Sequence, residues 1–122
     1  MIIAGLMIAG AAGAVLRYLV DRYVHGRVES DFPYGTLVIN VTGSLVLGFL
    51  TGSALHHGLS ATWVTVIGTG LMGAYTTFST FSYDTFRLLG SDGAATALTN
   101  ILVSVVVGLG AAVAGLALGT LI

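Results

Sequence analysis

An all-α integral membrane protein of four transmembrane helices, the third broken near mid-membrane, is the fold class this sequence predicts. Three observations predict it. Of 122 residues, 56% are hydrophobic and 18 are Gly, while only 7% are charged, against roughly a quarter in an average soluble domain. So few charges cannot cover a small water-soluble domain, which buries little of its surface. The charges also cluster: Arg17, Asp21, Arg22, Arg27, Glu29 and Asp31 lie together, and only Asp84, Arg87 and Asp92 stand apart. Finally, the charge-free stretches suit a bilayer, which needs about 20 mostly apolar residues per helical crossing. The same composition excludes a disordered chain, and a net charge of −1 without lysine leaves no basic patch for nucleic acid. With no cysteine, disulfides, thiolate metal sites and Cys nucleophiles are also excluded.

The first span runs over residues 1–23. It lacks the basic n-region and cleavage site of a signal peptide, so it reads as a span that stays. The central charge-free stretch, 32–83, is too long for one helix. His56-His57-Gly58-Leu59-Ser60 interrupts it, dividing it into spans 35–55 and 61–83. Residues 94–122 make the fourth. Tyr18, Tyr23, Tyr34, Trp63 and Tyr83 fall near span ends, as an interfacial aromatic belt would.

The third span is unusual. Residues 62–72 are apolar and helical in character, yet as a helix they rise only about 16 Å, roughly half a bilayer. Gly73-Ala-Tyr-Thr-Thr-Phe-Ser-Thr-Phe-Ser follows, dense in hydroxyls. Two readings are open. A break at that depth survives when it is buried in protein or lines a hydrated cavity, and discontinuous helices often mark ion sites. Alternatively the Ser and Thr hydroxyls bond back to i−4 carbonyls within an intact helix.

Small residues recur at packing spacing: Gly48-Phe-Leu-Thr-Gly52, Gly115-Leu-Ala-Leu-Gly119, Ala9 with Gly13, and Gly10 with Ala14. Such pairs let helix backbones approach closely. Four short helices are too few to enclose a pore, so self-association as a dimer is expected.

Several polar groups inside the spans need partners. Asn40 is either an interhelical hydrogen bond or a donor to an anion, and Ser44 lies one turn on along the same face. Phe78 and Phe81, at i and i+3, share a face. They are core or lipid contacts, or ring edges turned into a pore, where the positive edge of an aromatic ring favours an anion without holding it too tightly for release. Ser79 and Thr80 add hydroxyls, and Asn100 with Ser104 gives the last span a polar stripe. Arg17 is placed to snorkel to the interface, and Asp84 is spaced to pair with Arg87. Adjacent His56 and His57, with no carboxylate near them in sequence, make no metal site. No nucleophile elbow, HExxH or phosphate loop is present, so an enzyme is not expected.

Three strings together resemble the signatures of the Fluc/CrcB fluoride channels: Gly10-Ala-Ala-Gly-Ala-Val-Leu-Arg-Tyr18, Gly35-Thr-Leu-Val-Ile-Asn-Val-Thr-Gly43 and Gly73-Ala-Tyr-Thr-Thr-Phe-Ser-Thr-Phe81. Their order, their spacing and the four-span layout agree over essentially the whole chain. The resemblance implies an antiparallel dual-topology dimer with two fluoride pores and one central structural Na+, in the plasma membrane of a bacterium or archaeon. By position, Asn40 matches the pore asparagine, Phe78 and Phe81 the pore phenylalanines, and Thr80 and Ser104 members of a hydroxyl track. Gly73 and Thr76 match the positions whose backbone carbonyls hold sodium. Asp84 falls where the family often carries Glu near a pore entrance, and Ala74-Tyr75 departs from the smaller residues common before Thr-Thr. Fluoride would leave passively, lowering its cytoplasmic level.

The connections bearing Arg22, Arg27 and Arg87 share one side, and no Lys or Arg marks the other. A positive-inside count therefore puts both termini outside. Dual insertion needs a more balanced count, so the partner is a second copy or an oppositely oriented homologue. Two other classes compete. A small proton-coupled multidrug exporter needs an intramembrane carboxylate, which the first span lacks; a structural membrane subunit would conduct nothing.

Overall fold

The computed structural model describes residues 1–122. Three helices are long and apolar enough to cross a membrane: α1 (Ile2–His25), α2 (Tyr34–His57) and α6 (Ala94–Leu121). The other crossing is made in pieces. A single turn, α3 (Ala61–Trp63), leads into a π-helical segment (Val64–Met72) and a last α-helical turn, α4 (Gly73–Tyr75). Thr76 and Thr77 are then extended, and α5 (Phe78–Ser91) follows. The protein is thus a multi-pass membrane bundle of four helical passes with one break. Only 21 of 122 residues are buried, so most of the apolar surface is left to lipid or to another chain.

The π-helical register is the feature that hydropathy does not foresee, because a wider turn leaves composition unchanged. It also carries the helix through Tyr75, past the apolar run 62–72 on which the sequence reading ended it. Elsewhere the ends follow local chemistry. Gly58 adopts φ 67° and closes α2, while Gly93, at φ 89°, opens α6, both in the left-handed region where Gly carries no steric penalty.

The GxxxG pairs pack against each other. On α2, a Cβ at Gly48 would run into the Ala112 carbonyl oxygen; on α6, one at Gly115 would run into that of Leu45. The two backbones are therefore in direct contact. On the other side of the bundle α1 lies along the π-helical segment, and Gly13 meets the Leu71 carbonyl and the Tyr75 nitrogen. The small core, Ile39, Met72 and Tyr75, sits at the break.

Two tethers fix which ends share a side. The His57 ring nitrogen Nε2 lies 3.3 Å from the Thr120 carbonyl, joining the ends of α2 and α6. At the opposite end Arg87 donates to the Asp31 carbonyl at 2.7 Å. The arginine-bearing connections are thus together, as four passes require.

Candidate functional site

The break is held from outside the third span. Asn40 Nδ2 donates to the Thr77 carbonyl at 2.9 Å, and the Thr77 N–H donates to Asn40 Oδ1 at 2.8 Å. This two-point pair satisfies both polar groups of one buried residue's backbone, which would otherwise be costly to expose to apolar surroundings. Thr77 then caps α5: its hydroxyl oxygen accepts from the Thr80 N–H at 3.2 Å, a standard use of Thr at this position. Gly43 makes room, since a Cβ there would strike the Thr76 methyl. The Tyr75 hydroxyl pairs with that of Thr42 at 2.8 Å. Back-bonding occurs as well, from Thr76 to the Met72 carbonyl at 3.0 Å and from Ser82 to that of Phe78 at 2.9 Å, so both readings of the hydroxyl-rich string operate, on either side of a real break.

Rerouting two N–H groups frees two carbonyls. In a continuous helix the Thr77 N–H would bond to the Gly73 carbonyl and the Thr80 N–H to that of Thr76. The first goes to Asn40 and the second to the Thr77 hydroxyl, so neither carbonyl receives its helical hydrogen bond. No cluster of His, Asp or Glu capable of holding a metal exists; the oxygen donors at the break are neutral.

Beside the break lies an open groove of about 340 Å³, lined by Asn40, Ser44, Leu47, Thr76, Thr77, Phe78, Phe81, Ser104 and Val105. None of these is charged. The Phe78 and Phe81 ring centroids are 5.8 Å apart, with planes at 45°, and Phe78 is 80% exposed. Asn40 uses one N–H and one oxygen lone pair on Thr77, so of its four hydrogen-bonding positions one lone pair and one N–H remain, the latter a further donor.

The groove therefore brings together Asn40, Phe78, Phe81 and Ser104, with Ser44 between them. It does not include Thr80, which lines a separate cleft of about 240 Å³ with Arg17, Asp21 and Thr36; Thr77 borders both. Asp84 is buried and accepts a 2.7 Å hydrogen bond from the Thr36 hydroxyl. It does not pair with Arg87, whose guanidinium goes to the Asp31 carbonyl instead. Nor does Asn100 extend the stripe of Ser104: it is 1% exposed and donates to the Thr85 hydroxyl at 2.9 Å.

Residues 4–116 match a family model described as CrcB-like protein, Camphor Resistance (CrcB). The chain belongs to this CrcB-like family. Among its relatives, a protein of Mycobacterium tuberculosis (strain H37Rv) named fluoride-specific ion channel FluC 2 is 50% identical over 111 residues, 91% of this chain and 85% of that one. Fluoride-specific ion channel FluC 1 of Streptomyces avermitilis is 53% identical over 111 residues, 90% of each chain. A FluC 1 of Leifsonia xyli subsp. xyli is 45% identical over 121 residues, 99% of this chain and 88% of its own.

In this CrcB-like chain four site residues stand outside the roles read from sequence: Thr36, Thr42, Thr77 and Thr85. Thr36, Thr42 and Thr77 are hydroxyls inside apolar spans, and that alone is the available signal, because a hydroxyl in lipid must find a partner; Thr85 lies just past the third span, between Asp84 and Arg87. Which partner it finds depends on residues 15 to 48 positions away.

Proposed function

We propose that this chain is a fluoride channel through which the anion leaves the cell passively, and that the charge-free groove is one wall of its pore. The single observation that carries this reading is the convergence of Asn40, Ser44, Phe78, Phe81 and Ser104 on one groove with no ionised group. Fluoride is small and strongly hydrated. A selective path must replace its water with several donors, and amide, hydroxyl and ring-edge hydrogens do so while binding weakly enough for release. The relatives named as fluoride-specific ion channels support the same reading. The chain is not an enzyme.

The groove is open on one side, with Phe78 largely exposed. In this proposal a second chain covers it, in an antiparallel dimer with two pores; the partner is another copy or an oppositely inserted homologue. Thr80 and Asp84 belong to the approach. They border the polar clefts on the arginine-bearing side, and Thr77 links cleft to groove. A tag on the C-terminus reports the arrangement: accessibility from both sides of the membrane is expected, and a single orientation would exclude the homodimer.

A structural sodium ion belongs to the same proposal. The freed Gly73 and Thr76 carbonyls are hard neutral oxygens of the type such a cation takes, and half-helix ends elsewhere hold ions in this way. When bound, sodium would supply positive potential beside the groove. Replacing it with a large organic cation is expected to lower the melting temperature of the purified protein; an unchanged temperature would remove sodium from the proposal.

No coupling to ATP or protons is needed. An inside-negative potential drives an anion outward by about 2.3 kcal/mol per 100 mV, a gradient of roughly forty-fold at about 1.4 kcal/mol per tenfold. Liposomes loaded with fluoride test the proposal. Downhill fluoride efflux through the purified protein is expected; retention of fluoride, or release only with a proton gradient and a cationic drug, would refute it.

A further inference from the structure

Asn100 is the most deeply buried polar side chain in the protein, and the groove does not use it. Its position is easily misread, because the i, i+4 spacing to Ser104 suggests one continuous polar face. The amide turns instead toward α5, where Nδ2 donates to Thr85 Oγ1 at 2.9 Å. The Thr85 hydroxyl gives its only hydrogen to the Phe81 carbonyl at 2.8 Å. Its oxygen can therefore only accept from Asn100, which fixes the direction of the amide.

The location of this pair is informative. Thr85 lies four residues after Phe81 on α5, and Asn100 four residues before Ser104 on α6. Phe81 and Ser104 are groove-lining residues on those same two helices, so the pair sits about one helical turn, 5.4 Å, from the groove. Farther along, α5 ends at Ser91 and α6 begins at Ala94, joined through Asp92 and Gly93. Between that joint and the pair, Leu88 on α5 and Ala97 on α6 are both buried. The arrangement resembles a pair of jaws: a joint at 92–93, buried apolar residues at 88 and 97, a polar tie at 85 and 100, and the opening at 81 and 104. Packing alone would be served by an aliphatic residue, since burying an amide is unfavourable unless its geometry is used.

We infer that the Asn100–Thr85 hydrogen bond is a spacer that sets the separation of the Phe81 and Ser104 walls. Both are positioning residues for conduction, and their role in flux rests on the channel reading above. Without the tie the walls part, and the pore both conducts fluoride less well and discriminates less against chloride.

The absence of native cysteine allows a test that does not depend on flux. Spin labels at Ser82→Cys and Val106→Cys, both exposed positions, report the distance between α5 and α6 in the full-length protein in liposomes. Thr85→Ser keeps the hydroxyl and is expected to leave the distance distribution unchanged. Thr85→Val strands the Asn100 N–H, and Asn100→Leu removes the tie without stranding a group; both are expected to lengthen or broaden the distribution. Without the labels, each is expected to slow fluoride efflux by about three- to tenfold, the ratio an interhelical hydrogen bond is worth in lipid, and to raise the chloride-to-fluoride ratio. The double variant is expected to do no worse than Thr85→Val alone. If Thr85→Val does not fold, Asn100→Leu decides. Unchanged label distances in a folded variant would overturn the spacer. Fluoride retention by the wild type, with the distances shifted as expected, would overturn the channel reading and leave the spacer standing.

Discussion

The face between α2 and α6 and the break between α4 and α5 are held by opposite means. The first is backbone against backbone, with Gly48, Gly52, Gly115 and Gly119 in the contact and little for a hydrogen bond to do. The second is a peptide unit clasped by the Asn40 amide, capped by Thr77 and flanked by the Tyr75–Thr42 hydroxyl pair. In lipid, shape supplies most of the adhesion between helices, and polar bonds supply less, about 0.6 kcal/mol each on average. The difference teaches that assembly and site geometry are separable here: the α2–α6 face is needed for the bundle to exist, and the break decides what the bundle does.

The harshest test of that division is Gly115→Leu. The obstruction is the Leu45 carbonyl, backbone that cannot swing aside, so overpacking of about 3 kcal/mol is expected. The measurement is the yield of monodisperse protein on size exclusion; a well-behaved Gly115→Leu protein would break the comparison. Next come Phe78→Ile and Phe81→Ile, which remove ring edges from the groove without touching α2–α6. Fluoride efflux at the level of protein-free liposomes is expected, with elution unchanged. Loss of the folded protein would show that the rings hold the structure together.

Asn40→Ala should fall between the two classes. It removes both bonds to Thr77, a cost of about 1 kcal/mol in lipid, and with them the groove's amide donor. A modest drop in melting temperature with a large loss of efflux is expected. Asn40→Asp sharpens the point: it still accepts from the Thr77 N–H but sets an oxygen against the Thr77 carbonyl, so it should rescue neither. The smallest effect belongs to Tyr75→Phe. It deletes the hydroxyl pair with Thr42 and leaves the ring in the core, costing about 0.6 kcal/mol. A melting temperature within a few degrees of wild type and nearly normal efflux are expected.

The spans were legible because crossing a membrane depends on local composition, and Arg17–Asp31 and Asp84–Asp92 bracket the apolar runs. The GxxxG pairs were legible as packing surfaces for the same reason, small residues every four positions; that the pair on α2 faces the pair on α6 comes from the structure. The break was legible as one of two outcomes. Thr76 and Thr77 tolerate either, and the residue that decides, Asn40, is 37 positions away. Thr80 is instructive in the other direction. The family motif groups it with the phenylalanines, whereas α-helical geometry places it about 200° around the axis from Phe78, and the structure follows the geometry. Asp84 shows what spacing omits: i, i+3 permits a pair with Arg87, but Thr36 and the Asp31 carbonyl compete for the two side chains and win.

An amide gripped at both ends is more than an anchored one. Accepting a proton donor at Oδ1 and giving a proton at Nδ2 both pull electron density the same way along the Asn40 carboxamide, so the bonds reinforce one another. The heading of the remaining N–H is set before any ion arrives. A guest meeting it need not wait for the dipole to swing round, nor bear the loss of its rotational entropy.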